Sequence, residues 1–233
     1  MNLHDQSDLA THLVQKAKAL GASLAGLAST ASLQDSPSYE TYGEAAWPAG
    51  AESVLVLALV HERAEAELDW WDEKEGGTPG NRRLINVAND LVKWVKKELD
   101  IKAQPLPYHV EAGGIFLKDS AALAGLGTIG ASNLLVTPEF GPRIRLRALF
   151  LDVELVPTGP MDFSPCDSCD MPCRRACPQK AFIHGSYSRD ICTNQMNLDK
   201  ANRVILEKAV KEDSPSVCIK YCRACELACP VGR

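Results

Sequence analysis

Nine cysteines, all of them beyond residue 165, constrain this chain more than any other feature of its sequence. Four lie in CDSCDMPCRRACP at 166–178, with the spacing C-x2-C-x3-C-x3-C-P, and CIKYCRACELACP at 218–230 ends in C-x2-C-x3-C-P. A thiolate at every third or fourth residue lets one loop wrap three corners of a 4Fe–4S cube, and the fourth thiolate must come from elsewhere. The two runs therefore predict two 4Fe–4S clusters.

The cysteine before each proline determines how the two runs combine. In two-cluster ferredoxins this cysteine ligates the cluster of the other run, so we expect Cys177 and Cys229 to exchange. One predicted cluster uses Cys166, Cys169, Cys173 and Cys229. The other uses Cys177, Cys222, Cys225 and either Cys192 or Cys218.

Zinc is the alternative occupant, because two four-cysteine zinc sites would also use eight thiolates. The Cys-Pro endings after x3 spacings are typical of ferredoxins and favour clusters. Disulfides are not expected, because nine is an odd number and because the sequence begins without the basic and apolar segments of a signal peptide. This start predicts a soluble, cytoplasmic protein, whose thiols stay reduced.

Charge is distributed unevenly along the chain. Residues 163–233 carry 11 Lys and Arg against 8 Asp and Glu, which leaves 14 against 22 for residues 1–162. An acidic body disfavours nonspecific binding of nucleic acid. The longest apolar run, SVLVLALV at 53–60, is too short to span a membrane. Neither a nucleic-acid partner nor a membrane is therefore expected.

Helical and strand patterns alternate through the first 160 residues, which predicts one α/β layered domain, 1–160, followed by a cysteine domain, 161–233. Residues 31–50, with two prolines, are expected to form a loop. The apolar run at 53–61 is typical of a central strand. Helices are expected at 6–20, 82–99 and 118–124, and the other strands after residue 21 and at 107–111, 133–137 and 143–153.

The segment GLGTIG at 125–130 matches the dinucleotide-binding pattern G-x-G-x-x-G. That motif needs a strand before the glycines and a helix after them, whereas here a predicted helix precedes them and a predicted strand follows. Nicotinamide binding is therefore not expected. We expect the glycines to permit a tight turn or the close approach of a flat ligand.

Several segments together resemble the core of epoxyqueuosine reductase, a family related to the reductive dehalogenases. They are KDSAALAGLGTIGASNLLVTPEFGPRIRLRALFLDVEL at 118–155, the isolated RDIC at 189–192, and the two cysteine runs. The resemblance covers residues 105–233 by motif. It implies a nitroreductase-like, cobalamin-binding α/β domain followed by a ferredoxin-like domain with two 4Fe–4S clusters, and it favours Cys192 over Cys218 as the eighth ligand.

The resemblance implies an oxidoreductase that receives single electrons from a donor such as ferredoxin or flavodoxin. Both clusters would relay these electrons to cobalamin, for the reduction of a small-molecule substrate. Two alternatives stay open. The chain could reduce a partner corrinoid protein without substrate chemistry of its own, or its α/β domain could bind flavin.

The resemblance also implies site residues. A catalytic aspartate of the family falls at Glu111, which would act as a proton donor if burial beside the corrin kept it protonated. A family lysine is missing from the segment 130–133, and no C-terminal helical-repeat domain follows Cys229, so tRNA is not the expected substrate. The residues expected to bind the cofactor are Glu111, Lys118, Gly125, Gly127, Gly130, Asn133 and Thr137.

Other interpretations of these residues stay open. Glu111 could equally be a strand-edge carboxylate that pairs with Lys118. His109 is interpreted as a hydrogen-bonded core histidine rather than as a cobalt ligand. The tryptophans interpreted as core residues are Trp70, Trp71 and Trp94.

Overall fold

A computed structural model describes residues 3–43, 50–183, 185–205 and 217–232. Its helices are α1 (Leu3–Ala19), α2 (Thr30–Gln34), α3 (Pro37–Tyr42), α4 (Pro79–Leu99), α5 (Leu117–Leu123), α6 (Pro172–Arg175), α7 (Arg189–Ala201) and α8 (Ala224–Ala228). Its strands are β1 (Leu24–Ser29), β2 (Ser53–Val60), β3 (Ala103–Pro105), β4 (Thr128–Ile129), β5 (Leu135–Val136), β6 (Ile144–Leu151), β7 (Phe182–Ile183), β8 (Ser186–Tyr187), β9 (Val204–Ile205) and β10 (Val217–Cys218). Two 3-10 helices span Arg63–Asp69 and Val110–Ala112.

The chain divides into two compact units. The first comprises Met1–Leu59, Leu84–Thr128 and Leu146–Phe163, and the second comprises Val60–Arg83, Ile129–Arg145 and Ser164–Arg233. The second unit therefore contains every cysteine. The division into domains 1–160 and 161–233 stays a prediction; in the structure two inner stretches, 60–83 and 129–145, join the cysteine-rich segment.

A four-stranded sheet with the order β1-β2-β6-β3 forms the centre of the first unit. Strand β1 runs antiparallel to β2, with Leu27 opposite Leu55, and β3 runs antiparallel to β6. The first six residues of β2 are buried. This position confirms the central strand predicted at 53–61, because a strand covered on both faces reads as an unbroken apolar run.

The core of the first unit gathers apolar side chains from α1, α4 and the sheet. Helix α4 contributes Leu84, Leu91 and Val95, which are fully buried, as the 3.6-residue apolar period predicts. Burial of one such leucine stabilises the fold by about 1.5–3 kcal/mol relative to exposure. Trp94 packs against this core, as predicted, and its ring makes an edge contact with His12.

Three helices extend into segments where the sequence predicts no helix. Residues 30–42 form α2 and α3 instead of the predicted loop, and α4 begins at Pro79, three residues earlier than predicted. Ser29 caps α2 by accepting a hydrogen bond from the Ser32 N–H at 3.0 Å, and Pro37 begins α3. Ser and Pro favour loops but also mark helix starts, because the first turn has free N–H groups. The predicted loop at 44–49 lies outside the described residues.

The prediction of a strand at 107–111 is wrong. A 3-10 helix, Val110–Ala112, occupies this segment and ends at Gly113, whose φ of 92° is left-handed. The Gly114 N–H donates back to the His109 carbonyl at 3.0 Å, and a Cβ on Gly114 would lie 2.4 Å from the Pro107 carbonyl oxygen. The chain thus folds back on itself here, as the two glycines permit.

The second unit is built from short elements. Strands pair two by two as β4–β5, β7–β8 and β9–β10, and α7 has no buried residue.

The strands predicted at 133–137 and 143–153 correspond to β5 and β6, and the helix predicted at 118–124 corresponds to α5. A mixed α/β fold is confirmed, whereas the ferredoxin-like description of the cysteine domain stays a prediction.

Candidate functional site

Eight of the nine cysteines fall into two sets, within which the charge of one thiol raises the pKa of another. The first set comprises Cys166, Cys169, Cys173 and Cys229. Burial raises the pKa of the Cys173 thiol, and the charges of Cys229, Cys166 and Cys169 act in the same direction. Burial also raises the pKa of Cys229, with Cys166 and Cys169 adding to the effect. Cys229 therefore lies with the first run, although its sequence position is in the second.

The second set comprises Cys177, Cys192, Cys222 and Cys225. Burial raises the pKa of Cys222, and the charges of Asp199, Cys177 and Cys192 act in the same direction. Burial raises the pKa of Cys225 to about 12, with contributions from Cys222 and Cys192. Cys177 therefore lies with cysteines from the second run.

Cys218 stands apart from both sets. Burial raises the pKa of its thiol, and the other charges that act on it are those of Lys220 and Asp72. The charge of Cys192, by contrast, raises the pKa of two thiols of the second set. These neighbours favour Cys192 over Cys218 as the eighth ligand, and the ligand assignment as a whole stays a prediction.

Backbone N–H groups point at sulfur atoms in both sets. Such hydrogen bonds favour the thiolate over the thiol, and around an iron–sulfur cluster they tune its reduction potential. The donors and their sulfur acceptors, with N···S distances, are Ala131 to Cys166 (3.3 Å), Met171 to Cys169 (3.4 Å), Ala181 to Cys177 (3.3 Å) and Ala224 to Cys222 (3.5 Å). Both sets are thus surrounded as thiolate ligands require.

A left-handed turn shapes the first run. Met171 has φ 55°, and Pro172 begins α6 immediately after it. Helix α6 then places Cys173 in a buried position. The turn accommodates the third residue between Cys169 and Cys173, one more than the usual ferredoxin spacing.

Gly130 approaches the first set from another stretch of the second unit. A Cβ at this position would lie 2.7 Å from Val136 Cγ2 and 3.3 Å from Cys166 Sγ, so a side chain would crowd the sulfur. The next residue, Ala131, donates its N–H to Cys166, and its carbonyl accepts from Arg174 Nε at 3.2 Å. The glycines were expected to permit the close approach of another group. At Gly130 the group that approaches is the side chain of Cys166.

Zinc stays the alternative occupant of the two cysteine sets. Among the residues that the structure describes, no group of three or more His, Cys, Asp or Glu side chains converges to hold a metal ion.

A network of four charged side chains, which the sequence analysis missed, flanks the second set. We call it the Asp69 network. Asp69 lies 2.8 Å from Arg145 Nε and 2.6 Å from Arg223 Nη1. Glu226 lies 2.9 Å from Arg145 Nη2 and also pairs with Arg223. Two cations balance two buried carboxylates, and Arg223 and Glu226 flank Cys225, so the network fixes the backbone that carries this cysteine.

His61 joins the network and is fully buried. Its Nδ1 lies 2.7 Å from Asp69 Oδ1. Burial lowers the pKa of His61 despite this hydrogen bond, so the ring is neutral at pH 7. Burial alone would raise the pKa of Asp69, but the hydrogen bond with His61 and the charges of Arg145 and Arg223 lower it. The sequence hints at this network only through the i, i+3 spacing of Arg223 and Glu226.

The first unit holds four of the residues expected to bind a cofactor: Glu111, Lys118, Gly125 and Gly127. The side chain of Glu111 is 82% exposed and lies 3.8 Å from Nδ1 of His109, which is 69% exposed. The core position expected for His109 is wrong. Glu111 lacks the burial that the proton-donor role would need, and that role stays a prediction. Burial lowers the pKa of Lys118, and the charge of Asp119 opposes this effect.

Gly125 packs against backbone of its own unit. Its φ is 71°, and a Cβ there would lie 2.8 Å from the Thr158 carbonyl oxygen and 3.0 Å from Gly159 Cα. Gly127 is buried as well. The close approach predicted for these glycines is therefore to the protein itself.

The second unit holds the other three: Gly130, Asn133 and Thr137. Asn133 adopts φ 58°, and its N–H donates to the Gly130 carbonyl at 2.9 Å. Thr137 is fully buried; its hydroxyl donates to the Gly141 carbonyl at 3.1 Å and accepts from the Phe140 N–H at 3.1 Å. Both residues thus stabilise turns, and their contacts with a corrin stay predictions.

Comparison with known proteins gives two groups of relatives by sequence. A tetrachloroethene reductive dehalogenase of Sulfurospirillum multivorans is 42% identical over 67 residues, 28% of this chain and 13% of that protein. An epoxyqueuosine reductase of Lactococcus garvieae is 29% identical over 125 residues, 53% of this chain and 34% of that protein. The chain thus spans at most about a third of these two relatives, and no protein-family model matches it.

Solved structures give the same two groups. A reductive dehalogenase discussed for B12-dependent dehalogenation superposes with TM-score 0.66 at 18% identity, covering 100% of this chain and 33% of that one. An epoxyqueuosine reductase bound to a tRNA stem loop superposes with TM-score 0.64 at 17% identity, covering 99% of this chain and 66% of that one. The fold is therefore one shared by a class of oxidoreductase enzymes. Within that class, the resemblance to epoxyqueuosine reductases and reductive dehalogenases is confirmed.

Two expectations about partners can be compared with these findings. The tRNA stem loop in a structure of this fold argues against the exclusion of nucleic acid that the acidic charge suggested. Within the described ranges, every helix is too short or too polar to cross a membrane. The cytoplasmic location stays a prediction.

Proposed function

We propose that this chain is an iron–sulfur oxidoreductase, in which two 4Fe–4S clusters serve electron transfer to a corrinoid that reduces a small molecule. The observation that supports the proposal is that Cys229 acts on the thiol of Cys173 in the first run, and Cys177 on that of Cys222 in the second. This exchange is the pattern of two-cluster ferredoxins. The Cys-Pro endings after x3 spacings favour clusters over zinc, because they are typical of ferredoxins.

The chain's own residues would hold and tune the clusters. Cys166, Cys169, Cys173 and Cys229 would ligate one, and Cys177, Cys192, Cys222 and Cys225 the other. When bound, each cluster supplies one-electron transfer. Burial makes ionisation of these thiols costly in the absence of iron, and the backbone N–H groups offset part of that cost.

The corrinoid rests on the resemblance to relatives, one of which was discussed for B12-dependent chemistry. Of the residues named for it, Gly125, Gly130 and Thr137 are occupied by contacts within the protein. The corrinoid therefore enters the proposal only as the electron acceptor that the resemblance implies, and these three residues are assigned no role in binding it.

Anaerobic reconstitution tests the clusters. We expect about eight irons and eight sulfides per chain, and a broad visible absorption that dithionite bleaches. The control variant Cys218→Ala retains all of the iron. A colourless protein that carries zinc in place of iron contradicts the proposal.

A second candidate function is favoured by the exposure of Glu111. A proton donor for substrate over a corrin needs shielding from water, and the side chain of Glu111 is 82% exposed. The chain would then reduce a partner corrinoid protein or a flavin, without substrate chemistry of its own.

The variant Glu111→Gln separates the two functions. Wild type and variant are supplied with cobalamin and offered tetrachloroethene or an epoxyqueuosine-modified tRNA stem loop, the substrates named for relatives and their structures. Loss of turnover with intact cluster reduction in the variant supports the enzyme, and the absence of turnover in both proteins, with intact cluster reduction, supports the relay. The spectrum of the mixture with cobalamin also distinguishes a corrinoid from a flavin.

A further inference from the structure

A groove in the second unit adjoins the second cysteine set. Its volume is about 310 Å³. Tyr221 and Arg223, which line it, flank Cys222 in sequence, and Cys222 is exposed whereas every other cysteine is buried or half-buried. We call this cavity the Lys220 groove. The lining residues that carry the argument are Arg63, Trp70, Lys220, Tyr221, Arg223 and Leu227.

The rim of the groove carries two fixed cations. Arg63 is exposed and donates to the Leu227 carbonyl. Lys220 is exposed, and its Nζ lies 4.2 Å from the centre of the Trp70 ring. Among the residues that the structure describes, neither cation forms an ion pair with a carboxylate. Contacts with a carbonyl and an aromatic ring position these side chains without cancelling their charge.

The anionic residues near the groove do not neutralise this rim. Asp69 also lines the groove, but it is engaged by arginines, with Arg223 Nη1 at 2.6 Å. Asp199 accepts the Cys222 N–H at 2.7 Å. Glu62 is exposed and precedes Arg63 in sequence. Arg189, also exposed, lies three residues before Cys192 in sequence. The lining of the groove therefore presents two exposed cations, Arg63 and Lys220, while its lining carboxylate, Asp69, is paired with arginine.

We infer that the Lys220 groove is the docking surface of an acidic one-electron carrier protein, of the iron–sulfur or flavin type. The inference rests on the proposed function. The carrier loses one electron and the iron–sulfur site of the second set gains it, and no bond or proton changes place. Charge complementarity carries the choice of partner, because unpaired cations beside an exposed ligand attract an acidic surface and raise the association rate.

RNA fits the groove less well. Recognition of unpaired bases relies on open aromatic faces, and the face of Trp70 is covered by Lys220. A carrier protein needs instead a charged rim around a route to the cluster, which Cys222 supplies by its exposure.

Charge reversal tests the inference. We expect Lys220→Glu combined with Arg63→Glu to slow reduction by an acidic 2Fe–2S ferredoxin at least about tenfold at low ionic strength, measured by stopped-flow absorbance. The difference disappears in high salt. Lys220→Gln with Arg63→Gln gives an intermediate rate. The matched control, Lys96→Glu on α4 of the first unit, keeps the wild-type rate.

Small reductants separate docking from damage to the cluster. The rates of reduction by dithionite, an anion, and by reduced methyl viologen, a cation, should change severalfold at most. The two rates should change in opposite directions. Equal slowing of both small reductants, or an unchanged rate with ferredoxin, overturns the docking surface. A salt-sensitive loss of binding to an RNA stem loop, with ferredoxin reduction intact, assigns the groove to RNA and also overturns it. Iron content and bleaching by dithionite report separately on the proposed function.

Discussion

The two cysteine sets contain four thiols each but lie in different surroundings. Cys173 and Cys229 of the first set are 7% and 8% exposed, whereas Cys222 of the second set is exposed. Asp167 and Asp170 lie within the first run, and the free cations of the Lys220 groove lie beside the second set. If both sets hold clusters as proposed, these surroundings suit the second set to exchange electrons with a partner, whereas two thiols of the first set are buried from solvent.

The supports of the two sets differ as well. The first set is approached by backbone, since Gly130 leaves room for Cys166 and Ala131 donates its N–H to it. The second set has charged side chains beside it, since Arg223 and Glu226 of the Asp69 network flank Cys225. Backbone support is insensitive to pH, whereas charged support is not.

The largest expected effect concerns the exchange of ligands. Cys229→Ser should remove the first cluster and about half of the iron, while the second cluster remains reducible. Cys177→Ser should do the reverse. Iron analysis with EPR of the reduced protein distinguishes the two products, and Cys218→Ser serves as the unaffected control. If each substitution instead removes the cluster of its own run, the comparison between the two sets collapses.

Cysteine spacing is local and the Cys-Pro endings are typical of ferredoxins, so the sequence suggests the two sets, and their role as cluster ligands stays a prediction. The sequence also predicted β2 and the buried face of α4, where apolar period and burial coincide. The Asp69 network escaped prediction, because residues 61–69, 145 and 223–226 meet only in the folded second unit. Glu111 was predicted to lie in a strand because the pattern at 107–111 is typical of one. The two glycines that follow instead turn the chain.

Removal of one charge from the Asp69 network should destabilise the protein strongly. We expect Asp69→Asn to lower the free energy of unfolding by about 3–5 kcal/mol, because Arg145 and Arg223 then share the single carboxylate of Glu226. On warming, iron of the second set should be lost before iron of the first. The matched control is Asp90→Asn, which breaks an exposed pair with Lys93 and should cost less than about 1 kcal/mol. Equal effects of the two variants contradict a supporting role for the network.

Acidification should weaken the same support through His61. In the unfolded chain this histidine titrates near 6.5, whereas burial lowers the pKa of His61 in the folded protein. Between these two values the unfolded state binds more protons, so the free energy of unfolding falls as pH drops below about 6.5, by at most about 1.4 kcal/mol per pH unit. The pKa of Asp69 is lowered from 3.8, so its contribution is lost only at still lower pH.

Denaturant unfolding at several pH values between 7.5 and 5.5 measures this slope. His61→Asn keeps a donor near the position of Nδ1 and should flatten the slope. His4→Asn replaces a histidine that is 84% exposed and should leave the slope unchanged. A wild-type slope that persists in His61→Asn would assign the pH dependence to another group.

The smallest effect concerns the reduction potential of the second set. Asp199 Oδ2 accepts the Cys222 N–H at 2.7 Å, so a negative charge lies close to this ligand. A nearby anion disfavours the added electron, and Asp199→Asn should therefore raise the potential of the second cluster. An effect on the order of 1 kcal/mol corresponds to about 40 mV for one electron. The matched control is Asp190→Asn, an exposed aspartate of the same helix, α7. If a redox titration shows both potentials moving together, the two sets share one environment, and surroundings cannot account for a division of tasks between them.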